Sequence, residues 1–107
     1  MNWIAITEPS HLNNIVSDSF EHLVFVFKHS TRCSISKVVL SRFERNFKHT
    51  YGKPYLLDLL SFRDLSNQLA EYYGVIHESP QLLIIKEGRC VEHASHNAIN
   101  TLTFNII

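Results

Sequence analysis

Leu23-Val24-Phe25-Val26-Phe27 constrains the fold of this chain more than any other stretch. All five side chains are apolar and either branched or aromatic, so neither face of an extended segment here can meet water. Such a run predicts a central strand covered on both sides, as in parallel sheets flanked by helices. Lys28 and the polar residues His29 to Arg32 end the run, one cysteine follows at position 33, and a helical pattern begins at Ser34. Strand, short turn, cysteine, helix places a thiol where the unpaired N–H groups of the first helical turn point at it. The helix dipole favours a thiolate there, and Arg32 adds a positive charge next door. Cys33-Ser34-Ile35-Ser36 is a C-x-x-C pattern whose second thiol has become a hydroxyl. That points to a thiol–disulfide protein working with one cysteine.

The rest of the chain narrows the class. Its 107 residues predict a single domain over 1–107, and 45% hydrophobic against 19% charged residues argues for a packed core rather than disorder. Ten basic and ten acidic side chains cancel, leaving no electrostatic case for nucleic acid or an anionic membrane as partner. Apolar runs of five or six residues are far below a membrane span. The start, Met1-Asn2-Trp3-Ile4-Ala5-Ile6, lacks the basic and long apolar regions of a secretory signal. Two cysteines without an export signal fit a reducing compartment, so the expected location is cytoplasmic.

Taken in order, Trp3 to Ile6 predicts a short strand. Thr7 is placed to cap a helix with Pro9 in its first turn and an apolar stripe at Leu12, Ile15 and Val16. After the central strand, Ile35, Val38, Val39, Phe43 and Phe47 recur at helical period and predict a helix from Ser34 to about Thr50, stopped by Tyr51-Gly52-Lys53-Pro54. Tyr55 to Asp58 is a third strand. Ser61 to Asp64 resembles a capping box for a helix with Leu65, Leu69, Tyr72 and Tyr73 on one face, ending at Gly74. Leu82 to Lys86, a Glu87-Gly88 turn and Arg89 to Ala94 predict a hairpin. Ser95 is placed to cap a last helix with Ile99, Leu102 and Ile106 inward. The string β-α-β-α-β-α-β-β-α predicts an α/β domain with a central mixed sheet flanked by helices.

A cysteine turn after the second strand and a proline just before the fourth is the thioredoxin-like plan. Lys28-His29-Ser30-Thr31-Arg32-Cys33-Ser34-Ile35-Ser36, His77-Glu78-Ser79-Pro80-Gln81 and His93-Ala94-Ser95-His96 together resemble the monothiol bacilliredoxins, the YtxJ-like proteins. Leu65-Ser66-Asn67 and Tyr72-Tyr73-Gly74-Val75 are also similar to that family. The resemblance implies a cytoplasmic monothiol oxidoreductase that removes bacillithiol or a similar small thiol from S-thiolated proteins. It implies Cys33 as the catalytic thiol, Pro80 as a cis-proline, and Ser95 and His96 as the family's Ser–His pair, while Arg32, Ser34 and Ser36 are expected from their own chemistry to tune the thiol. Thr31, Ser79, Pro80 and His96 would hold the substrate or the small thiol. Bacillithiol would be a co-substrate, with no tightly bound cofactor. One departure is that the family usually carries proline directly after the cysteine, where this chain has Ser34; serine restores an N–H and adds a hydroxyl.

Each residue also has a plainer role open to it. Cys33 as a buried, inert thiol, Ser36 as an ordinary first-turn serine, Pro80 as a trans proline opening an edge strand and His96 as a surface histidine all fit residue preferences. His93-x-x-His96 has loose metal spacing, but a strand-to-helix change between the two argues against zinc, and no metal is expected. Cys90 is expected to fill core rather than to resolve a disulfide. At the level of function, a thioredoxin-fold binding module that does no exchange, and a glutaredoxin-like iron–sulfur carrier, are the competing readings.

Overall fold

A computed structural model describes residues 1–101. In chain order the elements are β1 (Ile4–Ala5), α1 (Pro9–Asp18), β2 (Val24–His29), α2 (Ser34–Asn46), β3 (Lys53–Asp58), α3 (Arg63–Tyr73), β4 (Gln81–Lys86), β5 (Arg89–Ser95) and a 3₁₀ segment, His96–Thr101. The five strands form one sheet in the order β1-β3-β2-β4-β5. β1, β3 and β2 run parallel, β4 is antiparallel to β2, and β5 closes the sheet as a hairpin with β4. This is the mixed sheet expected from the element string.

All six residues of β2 are buried, and alternation sends them to two different cores. Val24 and Val26 pack with Ile15 of α1 and with Leu65 and Leu69 of α3. Phe25 and Phe27 pack with Val39 and Phe43 of α2 and with Ile99 of the 3₁₀ segment. Trp3 stacks on Phe43 with ring centroids 5.8 Å apart, and its Nε1 donates to Glu44 at 2.7 Å, which closes the outer edge of the second core.

The boundaries differ from expectation where tertiary contacts override local signals. β2 does not end at Phe27: Lys28 and His29 continue it, each paired to β3 and both buried. α2 ends at Asn46, not near Thr50, because Phe47 turns extended to face Phe25 at a ring separation of 5.0 Å. Within α2 the inward face is Ser36, Val39 and Phe43, while Ile35 and Val38 point to solvent at 57% and 49% exposure. Glu8, rather than Thr7, is the N-cap of α1, with Pro9 directly after it. Phe62 begins α3 without a side-chain cap, since the Ser61 hydroxyl donates instead to Asp58. Ser95 is the last residue of β5 and caps no helix; Leu102 and Ile106 lie outside the described residues. Gly74 closes α3 in the left-handed region, where a side chain would be strained, as the sequence signal requires.

Gly52 sits at the entry to β3 against the start of β2. A Cβ there would overlap the Leu23 carbonyl oxygen and stand 2.9 Å from Phe25 Cε1. That carbonyl also accepts the Lys53 N–H at 2.8 Å, so it cannot move aside without breaking the link between the strands. Gly52→Ala is expected to lower stability by about 1–3 kcal/mol through overpacking, read as a lower urea midpoint. An unchanged midpoint would show that β2 and β3 are not held this tightly.

Candidate active site around Cys33

The register puts several segments at one end of the sheet. Lys28 pairs with Gln81, so the chain leaving β2 toward Cys33 and the chain entering β4 from Pro80 meet at the same edge. Cys33 is the N-cap of α2, with extended backbone. Its N–H donates to Ser30 O at 3.2 Å and its carbonyl accepts Lys37 N–H at 3.1 Å. The thiol is partly exposed and makes no side-chain cap. Thr31, Arg32 and Ser34 are exposed around it.

Ser36, one turn into α2, is fully buried. Its Oγ accepts the Ser30 N–H at 3.1 Å and lies 2.7 Å from His29 Nδ1. Both of its polar contacts go to β2 and the turn behind the thiol. His29 is the residue that the sequence pattern did not single out. Burial, with a smaller push from Lys37, holds its ring below the usual imidazole range, while Asp58 and Glu44 act the other way.

On the opposite face of the sheet, Lys28 is also fully buried. Its Nζ donates to Ser66 O at 3.2 Å and lies 3.4 Å from His77 Nδ1, which is itself 3.2 Å from Ser66 Oγ. Desolvation pushes the ammonium down to about 8. Burial, followed by the charges of Lys28 and Arg63, keeps the His77 ring low. This polar cluster ties β2 and α3 to the segment that leads to Pro80. Nothing in the periodicity marks it, although Lys28, Ser66 and His77 all lie inside the motifs quoted above.

The Ser79–Pro80 peptide bond is cis. Gln81, buried beside it, donates from Nε2 to Ile76 O at 2.9 Å, and Ser95 Oγ donates to Glu78 Oε1 at 2.8 Å. The His96 N–H donates to Pro80 O at 2.9 Å, so Pro80 and His96 are joined through the backbone, with the His96 side chain exposed. Ser79 Oγ is enclosed and has no hydrogen-bond partner among the described residues. Cys90 pairs with Ile85, near the other end of β4, and its Sγ donates to Glu92 O at 3.3 Å. Burial pushes that thiol up, and both cysteines are free. Among the described residues no group of three or more His, Cys, Asp or Glu side chains is arranged to hold a metal ion, and no helix is long and apolar enough to cross a membrane.

A five-stranded mixed sheet with a thiol at the first turn of α2 defines a thioredoxin-fold redox protein. A solved structure described as a proposed oxidoreductase with a thioredoxin fold is 30% identical, covering 91% of this chain and 85% of that one, with a TM-score of 0.80. Thioredoxin from Trypanosoma brucei brucei (14% identity, 89% and 79% coverage, TM-score 0.72) and mitochondrial thioredoxin 3 from Saccharomyces cerevisiae (11%, 92% and 91%, TM-score 0.71) share the fold. The model of the monothiol bacilliredoxin BrxC family matches residues 4–104, and the chain belongs to that family. Its chemistry is thiol redox chemistry.

The Lys28 ammonium gains little to offset its desolvation, and its neighbours keep other partners without it. Lys28→Met is expected to raise stability at pH 7 by about 1–4 kcal/mol. The sign follows from proton binding: between about 8, the folded value, and the ordinary lysine value near 10.4, the unfolded chain holds the extra proton. Wild-type stability from this group therefore rises with pH across that window. The advantage of the variant should shrink between pH 8 and pH 10 in urea titrations. A destabilised variant at pH 7 would instead make the cation a net contributor to the fold.

Proposed function

We propose that this protein is a monothiol exchange enzyme that frees proteins from bacillithiol, or a similar small thiol, with Cys33 as the nucleophile. The observation that carries the reading is the placement of Cys33: a partly exposed thiol at the N-cap of α2, with a hydroxyl, Ser36, where a resolving thiol would stand. The free N–H groups of a helix start favour an anion at that position.

In the first step the Cys33 thiolate attacks the small-thiol sulfur of a protein–S–S–R mixed disulfide. A Cys33–S–S–R bond forms, the S–S bond of the mixed disulfide breaks, and its electron pair leaves on the protein sulfur as a thiolate, which takes a proton from water. In the second step a thiolate RS⁻ attacks the R-side sulfur, forming RSSR and expelling Cys33 as thiolate. The net change is protein–S–S–R plus RSH giving protein–SH plus RSSR. Without a second thiol at position 36, Cys33 has no intramolecular route to release, so the small thiol is a co-substrate and no resident cofactor is needed.

Thr31, Arg32 and His96 are exposed polar groups suited to the polar parts of the small thiol, and Ser79 and Pro80 offer backbone to an extended client segment. Arg32 and Ser34 tune the thiol, while Ser36 acts from behind the turn. Ile35, Val38 and Ile76, the last 85% exposed, supply apolar surface for a protein client at the same end of the sheet. The clients in this reading are S-thiolated proteins of the cytoplasm.

The test is to incubate a bacillithiol-blocked client with wild-type protein and with Cys33→Ser, and to weigh both chains intact. The wild type should gain one bacillithiol adduct on Cys33 while the client is released reduced; the variant should do neither. A wild type that gains no adduct and leaves the client blocked overturns the transferase reading in favour of a binding module.

A further inference from the structure

Between α3 and β4 the chain runs without regular structure from Val75 to Pro80 and ends on the cis Ser79–Pro80 bond. Ile76 and Glu78 are exposed on this segment. Toward β4 and β5 it is tied by Gln81 Nε2, which donates to Ile76 O at 2.9 Å, and by Ser95 Oγ, which donates to Glu78 Oε1 at 2.8 Å. Toward β2 and α3 its polar tie is the partly buried His77, whose Nδ1 lies 3.4 Å from Lys28 Nζ and 3.2 Å from Ser66 Oγ. The exchange steps above use none of these three side chains.

Lys28 settles the state of that ring. Its ammonium has protons to give and no lone pair, so Nδ1 can meet it only as an acceptor. The neutral ring therefore carries its proton on Nε2, and the Ser66 hydroxyl, sharing Nδ1 with Lys28, also donates to it. Protonating His77 puts a hydrogen on Nδ1 and removes the acceptor. Two cations would then face each other across the former hydrogen bond, and with Lys28 fully buried little water screens them. We infer that His77 is a positioning residue that selects protein clients over small disulfides, its bond to Lys28 holding the Ser79–Pro80 backbone where an extended client chain pairs. The inference rests on the docking role proposed for Ser79 and Pro80.

The surroundings of the ring set the direction with pH. Burial, Lys28 of β2 and Arg63 of α3 disfavour a charged ring, while Glu78 on the segment itself favours it. Gln81 and Ser95, which tie the segment on its other side, carry no charge. The net effect holds His77 below the ordinary histidine value while the segment is docked. A segment that swings free regains that ordinary value, near 6.5. Acid therefore favours the free segment: the anchor weakens as pH falls below about 6.5, and the loss levels off below the docked ring's own midpoint. Above that window the ring accepts from Lys28 and the backbone is held.

The experiment compares two activated disulfides that share the leaving group 5-thio-2-nitrobenzoate, one on the cysteine of an extended peptide without ionisable groups and one on 2-mercaptoethanol. The Cys33 thiolate attacks the peptide or mercaptoethanol sulfur, a new S–S bond forms, the old one breaks, and its electron pair leaves on the coloured thiolate. Both rates need the same thiolate, so their ratio cancels the titration of Cys33 and reads docking; Cys33→Ser is the blank. In the wild type the ratio of peptide to mercaptoethanol rate should stand well above one at neutral pH. It should fall about tenfold, the weight of one hydrogen bond to a charged group, as pH drops through the His77 midpoint followed by NMR. His77→Ala should show the low ratio at every pH. His77→Gln, whose side-chain oxygen accepts from Lys28 but does not titrate, should keep the neutral-pH ratio and hold it flat into acid. A wild-type ratio near one throughout, or unchanged across the ring's midpoint, overturns the inference. So does a neutral-pH ratio that His77→Ala leaves intact, or one that still falls in acid in His77→Gln. If His77→Ala does not fold, the wild type and His77→Gln decide the matter together. The probes contain no bacillithiol, so a protein that shows this ratio yet takes no bacillithiol from a client keeps the anchor and loses the transfer reading.

Discussion

Burial of β2 on both faces is the constraint from which the rest of this structure follows. Val24, Phe25, Val26 and Phe27 are each fully buried, and each such side chain contributes about 1.5–3 kcal/mol relative to exposure. No single layer of helix can cover both faces, so α1 and α3 close one and α2 with the 3₁₀ segment closes the other. The partners of β2 are set by the same demand. β3 pairs with it in parallel, and β4 pairs antiparallel along the other side. A strand held this way delivers its C-terminal end to a fixed position, and the turn to Cys33 starts there.

That burial also explains why two polar residues are enclosed at the end of β2. Lys28 and His29 continue the strand, and alternation turns them to opposite faces. Each therefore finds its own polar partners under one of the two helical layers. Lys28 meets Ser66 and His77 beside α3, and His29 meets Ser36 in the first turn of α2. Buried polar groups are retained at a cost in stability unless satisfied. Here they fasten the two segments that border Cys33: the turn before α2 and the stretch from Ile76 to Pro80. The rigid part of the site is thus beneath the thiol, and the exposed part, Thr31, Arg32, Ser34 and His96, is free to meet a ligand.

Serine in place of a second cysteine changes more than the count of thiols. A cysteine buried at this position would offer a sulfur to Cys33. Ser36 instead offers its oxygen to Ser30 and His29, which draws the position into the scaffold. The same exchange of sulfur for oxygen that removes an intramolecular disulfide thereby creates a hydrogen-bonded support under the first turn of the helix. Serine rather than proline at position 34 leaves that turn with one more N–H.

The order of elements, the central strand, the hairpin at Glu87-Gly88, the close of α3 at Gly74 and the position of Cys33 at a helix start were all legible in the sequence. Each depends on residues near one another in the chain: an apolar run, a breaker, a turn pair, a period of 3.6. The partners of Lys28, His29 and Ser36 were not legible, because a polar residue after a strand looks the same whether it meets water or a side chain from another layer. The inward face of α2 was misjudged at Ile35 and Val38 for the same reason: periodicity finds an apolar stripe, but only the sheet beneath decides which part of it is covered. Ser95 was assigned to a helix start, and the pairing of β5 with β4 made it the last residue of the strand instead, while His96 opens the 3₁₀ segment as expected and its bond to Pro80 ties that start to the edge of the site. The sequence by itself determined the sheet, its helical cover and the thiol's address in the chain, since these follow from local pattern. The tertiary structure alone decided which polar groups stand behind that thiol, because such contacts join residues whose meeting depends on how the layers pack.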